Sequence, residues 1–120
     1  MTTIPSKAFP TGIAAATLAL GIAFAAAGPA SAASPTFSCS GNLNSTERAI
    51  CKSSELSRLD RQMSAEYFGQ LDLQTSSSAR RELRNAQRSW LRDRNSCGGS
   101  VACIRGEYQQ WIEQLAEWGL

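Results

Sequence analysis

The sequence contains no histidine. That absence removes the usual general base, the usual zinc ligand and the usual partner of a serine or cysteine nucleophile, and with them most hydrolase designs. A dominant charge is also missing, since 12 basic residues stand against 10 acidic ones for a formal net charge of +2. No global preference for nucleic acid follows from so even a balance. Nothing alternates apolar and polar residues over a strand length, and no hairpin turn signal occurs. Gly98 and Gly99 sit between cysteines and precede no Lys-Ser or Lys-Thr pair, so no phosphate-cradling loop is present. Carboxylates such as Glu47, Asp60, Glu66 and Glu107 could flank a glycoside cleft. Isolated acids on amphipathic helices are ordinarily solvated, however, and a chain this small leaves little room for a sugar site. A role without catalysis, cofactor or metal is the expectation.

What the chain does have begins with an address. Lys7 precedes an apolar, uncharged run from Gly12 to Ala27, and Ala30-Ser31-Ala32 supplies a small-x-small cleavage pattern. Residues 1–32 therefore read as a signal peptide cleaved near Ala32, and the product is expected to be secreted or periplasmic. The apolar run is short for a membrane span of about 20 residues and is followed by Gly28 and Pro29. Cys39 follows Thr36-Phe37-Ser38 rather than the Leu-small-small run of a lipid-modified cysteine, so no stable membrane anchor is expected. Loss of Lys7 lowers the formal net charge from +2 to +1.

The remaining 88 residues make one small domain, and their four cysteines read as two disulfides. Three connectivities are possible. Pairing Cys39 with Cys51 and Cys97 with Cys103 is preferred, because each pair is close in sequence and flanked by turn residues. Loops this short would stabilise by roughly 2 to 3 kcal/mol each. A zinc site fits poorly, since neither spacing is Cys-x2-Cys.

Residues 33–41 are rich in Ser, Pro and Gly and read as extended; the helical domain covers 42–120. Asn44-Ser45-Thr46-Glu47 resembles a capping box and opens a short helix ending near Cys51 or Lys52. Ser53 caps a second helix, in which Leu56, Leu59, Met63, Tyr67 and Leu71 form one apolar stripe, with Asp60 and Arg61 off it. Gly69 is its weak point. After a polar loop over Gln74 to Ser78, a third helix puts Leu83, Ala86 or Gln87, Trp90, Leu91 and Arg94 on one face and most arginines on the other. Glycines after Cys97 end it. Ser100 caps the last helix, whose stripe is Val101, Ile104, Tyr108, Trp111, Leu115 and Trp118, ended by Gly119. The fold class is all-α: a small antiparallel three-helix bundle with a short extra N-terminal helix, stapled by two disulfides. Trp90, Trp111, Trp118, Tyr67 and Tyr108 lie on or beside core stripes and read as packing rather than as a carbohydrate platform, with Trp118 the one of them expected to be partly exposed.

The run from Thr46-Glu47-Arg48-Ala49-Ile50-Cys51 through Glu55-Leu56-Ser57-Arg58-Leu59-Asp60, then Gln87-Arg88-Ser89-Trp90-Leu91-Arg92-Asp93-Arg94-Asn95-Ser96-Cys97 and Cys103-Ile104, resembles the LprI-type lysozyme inhibitor domain. The resemblance covers nearly all of Phe37 to Leu115. It implies a helical, secreted or envelope-bound domain with two disulfides, and a protein partner, a lysozyme-type enzyme, that it binds and inhibits. Such an enzyme is basic and carries a carboxylate-lined cleft. The candidate partner-binding residues are Gly98, Gly99 and Ser100 in the constrained turn, and Glu107, Glu113 and Glu117 on the last helix. The alternative is a non-inhibitory envelope module that binds a protein or glycan through the arginine-rich third helix, where Arg80, Arg81, Arg84, Arg88, Arg92 and Arg94 meet only Glu82 and Asp93.

Overall fold

The computed structural model describes residues 33–120; the expected signal segment, residues 1–32, lies outside the described residues. Four helices follow one another: α1 Ser45–Lys52, α2 Ser54–Leu73, α3 Ser77–Ser96 and α4 Val101–Ala116, with no strand among the described residues. Each start is dictated locally. The Asn44 side chain accepts from the Glu47 N–H while Glu47 reaches back to the Asn44 N–H, a complete capping box. Ser53, Ser76 and Ser100 accept from the N–H three residues on and cap α2, α3 and α4.

The three long helices run up, down and up. Side-chain bonds from Gln87 to Met63 and from Arg80 to the Leu71 carbonyl set α3 antiparallel to α2. Gln87 against Trp111 and Trp90 against Glu107 set α4 antiparallel to α3. Glu55 with Arg105 and Asp60 with Tyr108 show α2 and α4 parallel, and these two make the most extensive helix contact. By comparison α2 and α3 touch sparingly, so they splay apart on the far side of α4.

The core is Ile50, Leu56, Met63, Leu71, Leu83, Trp90, Ile104, Tyr108, Trp111 and Leu115. Trp90 stacks on Trp111 at 6.1 Å and meets Tyr108 edge-on at 5.1 Å. Their polar tips are satisfied: Trp90 Nε1 donates to the Glu107 carbonyl at 3.0 Å and Trp111 Nε1 to Gln87 Oε1 at 2.7 Å. Cys39 pairs with Cys51 and Cys97 with Cys103. Residues Ser31–Leu120 form one compact unit that holds all four cysteines and the core of the described residues, which is what a domain needs to fold alone.

Two stripe assignments need correction. Val101, expected in the core, is 41% exposed: as the first residue of α4 it lines an open depression with Ser45, Arg48, Ala49 and Lys52 of α1. Asp60, expected off the stripe and solvated, is 1% exposed, for a reason that belongs to the site.

Candidate functional site

Asp60 is buried because hydrogen-bond donors from the N-terminal segment and α4 and a cation from α3 converge on it. Its Oδ2 accepts from the Thr36 N–H and the Thr36 hydroxyl, both at 2.7 Å, and its Oδ1 accepts from the Tyr108 hydroxyl at 2.8 Å. Arg94, 4% exposed, donates to the Tyr108 oxygen at 3.0 Å and stands 3.8 Å from Asp60. The guanidinium also donates twice to Asn95 Oδ1 and lies about 6 Å from the ring centres of Phe37, Trp90 and Tyr108. Burial, the largest influence, pushes the Tyr108 hydroxyl above the usual phenol range, so it keeps the proton it donates. The network ties the N-terminal segment to α2, α3 and α4.

An open depression of about 420 Å³ lies over this network where α2 and α3 splay. Met63, Tyr67, Phe68 and Leu91 give it an apolar wall, and Glu47 and Asp60 both reach it. These two acids are committed elsewhere, Glu47 to its capping box and Asp60 to three donors, so the pair is not set for acid–base work on a glycoside. All four cysteines are oxidised, which leaves no thiolate for a metal or a nucleophile.

The turn between α3 and α4 is held at several points. Gly98 has φ +58°, the left-handed conformation that closes a helix and favours glycine. The buried Thr46 hydroxyl bridges the Gly98 carbonyl at 2.6 Å and the Asn95 carbonyl at 3.2 Å, bracing the turn from α1. With the Cys97–Cys103 disulfide beneath it, the tip leaves Gly99 and Ser100 exposed, while Gly98 is half-buried.

The acidic candidates divide. Glu107 lines a hollow of about 240 Å³ between α3 and α4, and Asp93 lines the same hollow from α3. Farther along the seam, Glu117 shares a second hollow with Glu82. Four carboxylates thus flank the α3/α4 seam over about 15 Å of helix. Glu113 is exposed but lines neither hollow. Glu117 lies at the opposite end of α4 from the Gly98 to Ser100 turn, roughly 25 Å away along the axis. The sequence reading missed Asp93 and Glu82 as seam residues. Their signal was helical spacing, since each projects to the side of α3 away from its arginines.

Among the described residues, no helix is long and apolar enough to cross a membrane. No curated protein and no solved structure matches the chain. A family model described as Lysozyme inhibitor LprI matches residues 39–117, which take in both disulfides and the helices α1 to α4, and the chain belongs to that family.

Proposed function

We propose that this is a secreted or periplasmic protein that binds and blocks lysozyme-type muramidases. Membership of the LprI family over residues 39–117 carries the reading. Two disulfides are compatible with an oxidising compartment outside the cytoplasm. The turn Gly98-Gly99-Ser100 is narrow, exposed at its tip and already ordered by the disulfide and Thr46, so seating it in a substrate cleft costs little conformational entropy. Asp93, Glu107, Glu82 and Glu117 along the seam, with Glu113 beside them, attract a basic enzyme and speed its encounter.

Lysozyme turnover on cell walls, titrated with oxidised residues 33–120 and two variants, tests this reading. Gly99→Gln is the informative one. A Cβ at Gly99 meets nothing within 4 Å, so the fold survives while the tip is blunted, and inhibition should drop with the melting temperature unchanged. Asp93→Asn combined with Glu107→Gln should slow association and flatten its salt dependence. Unchanged turnover at high molar excess of the parent protein rejects the reading.

A further inference from the structure

The other flank of α3 carries the opposite charge. Arg81, Arg84, Arg88 and Arg92 recur at steps of three and four, are all exposed, and form a row about 16 Å long. The two acids of the same helix do not interrupt it, since Glu82 and Asp93 line the seam with α4. Among the described residues the ion pairs are Arg94 with Asp60 and Arg105 with Glu55, and none involves this row. Arg88 donates to the neutral Asn85 side chain.

Beside the row lies exposed aromatic surface. Leu91 and Asn95, which line the depression between α2 and α3, stand three residues beyond Arg88 and Arg92 and so border them directly. Phe68 lines the same depression from α2 and is 57% exposed. The antiparallel register set by Met63 with Gln87 and Leu71 with Arg80 brings Phe68 level with Arg84. On α2, Arg61, Glu66 and Asp72 lie within two turns of Phe68; Glu66, two residues away, projects from a different face, and Arg61 and Asp72 offset each other's charge.

We propose that this face docks the protein reversibly on an anionic phospholipid surface, with the arginine row on the headgroup phosphates and Phe68 in the interfacial zone. A basic enzyme is repelled by such a row. A soluble polyanion would use the arginines and leave Phe68 without a role, whereas a bilayer surface offers phosphates and shallow apolar depth together. The acid-lined seam occupies a different side of α3, so docking leaves it open. The inference does not depend on the inhibitor reading.

The test is co-sedimentation of oxidised residues 33–120 with vesicles at low ionic strength. One set is phosphatidylcholine alone; the other is half phosphatidylglycerol. Binding is expected only to the second and should fall as salt is added. Each arginine is worth about a factor of five in affinity, so Arg81→Gln, Arg84→Gln, Arg88→Gln and Arg92→Gln together should weaken binding on the order of several hundredfold. Glutamine keeps the helix propensity, and Phe68→Ser gives an independent, severalfold loss at a position that is not in the core. Equal binding to both vesicle types, no binding to the anionic set, or full binding by both variants would overturn the proposal. So would capture by soluble polyphosphate without capture by vesicles.

Discussion

Asp60→Asn keeps the side-chain shape and removes one charge from the interior. Both carboxylate oxygens are in use, Oδ2 by Thr36 at 2.7 Å and Oδ1 by Tyr108 at 2.8 Å. Asparagine offers one oxygen, so in either orientation its amide group faces a donor, and a buried polar group left unmatched costs about 1 to 3 kcal/mol. The change also leaves Arg94, 4% exposed, without the carboxylate 3.8 Å away, and breaking a buried pair from one side costs about 3 to 5 kcal/mol. The two losses overlap, so we expect about 3 to 5 kcal/mol in all, against a total stability of about 5 to 15 kcal/mol for a domain. At about 4 to 8 °C per kcal/mol for a domain of this size, the melting temperature should fall by on the order of 15 °C or more. Thermal denaturation followed by circular dichroism reads this directly. Adding Arg94→Met removes the stranded cation, and the double variant should recover about 1 to 3 kcal/mol relative to the sum of the single changes. A fall no larger than that of a surface exchange such as Asp72→Asn, under about 0.5 kcal/mol, would refute the network as a source of stability.

Gly69 lies exposed in the middle of α2 with nothing within 4 Å of an added Cβ, so Gly69→Ala should stabilise by about 0.5 to 1 kcal/mol; a lower urea midpoint would contradict this. Replacing Cys97 and Cys103 by serine opens a loop of 6 residues and should cost about 2 kcal/mol on the chain-entropy account. The same change at Cys39 and Cys51 opens one of 12 and should cost about 3 kcal/mol, so equal melting temperatures for the parent and both variants would exclude the staples as stabilisers. The Glu55 carboxyl is held below its usual range, chiefly by the hydrogen bond from Arg105 at 2.6 Å. What the pair contributes is therefore present above the unfolded-state pKa and is lost as pH falls through the folded one. In Arg105→Gln the Glu55 titration followed by NMR should move up, and an unmoved titration would remove the pair from the account.

Helix starts were readable because a cap is a local device. Asn44 with Glu47, Ser53 and Ser100 need only the residues beside them, and all three act where the sequence places them. The serine run was less decisive: it places the cap at Ser78 or a neighbouring serine, and Ser76 is the cap, so α3 starts at Ser77, inside the stretch read as loop. The disulfide pairing was readable from spacing, while the burial of Asp60 was not. Its partners stand 24 to 48 residues away, and periodicity within α2 counts an aspartate as outward-facing whatever lies opposite. Tyr67 belongs to the stripe yet is only half-buried, because α2 and α3 diverge there and open the depression beside Phe68; Leu59 is half-buried too but does not line that depression. Among the candidate contacts, Glu107 and Glu117 do reach one seam. Asp93 and Glu82 escaped notice because they sit in an arginine-rich stretch, where sequence order hides that the two signs occupy different flanks of one helix.

The most direct measurement is residual lysozyme activity on cell walls across a titration with oxidised residues 33–120, set beside the same protein reduced and alkylated. Inhibition is expected from the oxidised form and little or none from the reduced one, since the disulfide constrains the turn between α3 and α4. Equal activity in the presence of either form, at any excess, would contradict it.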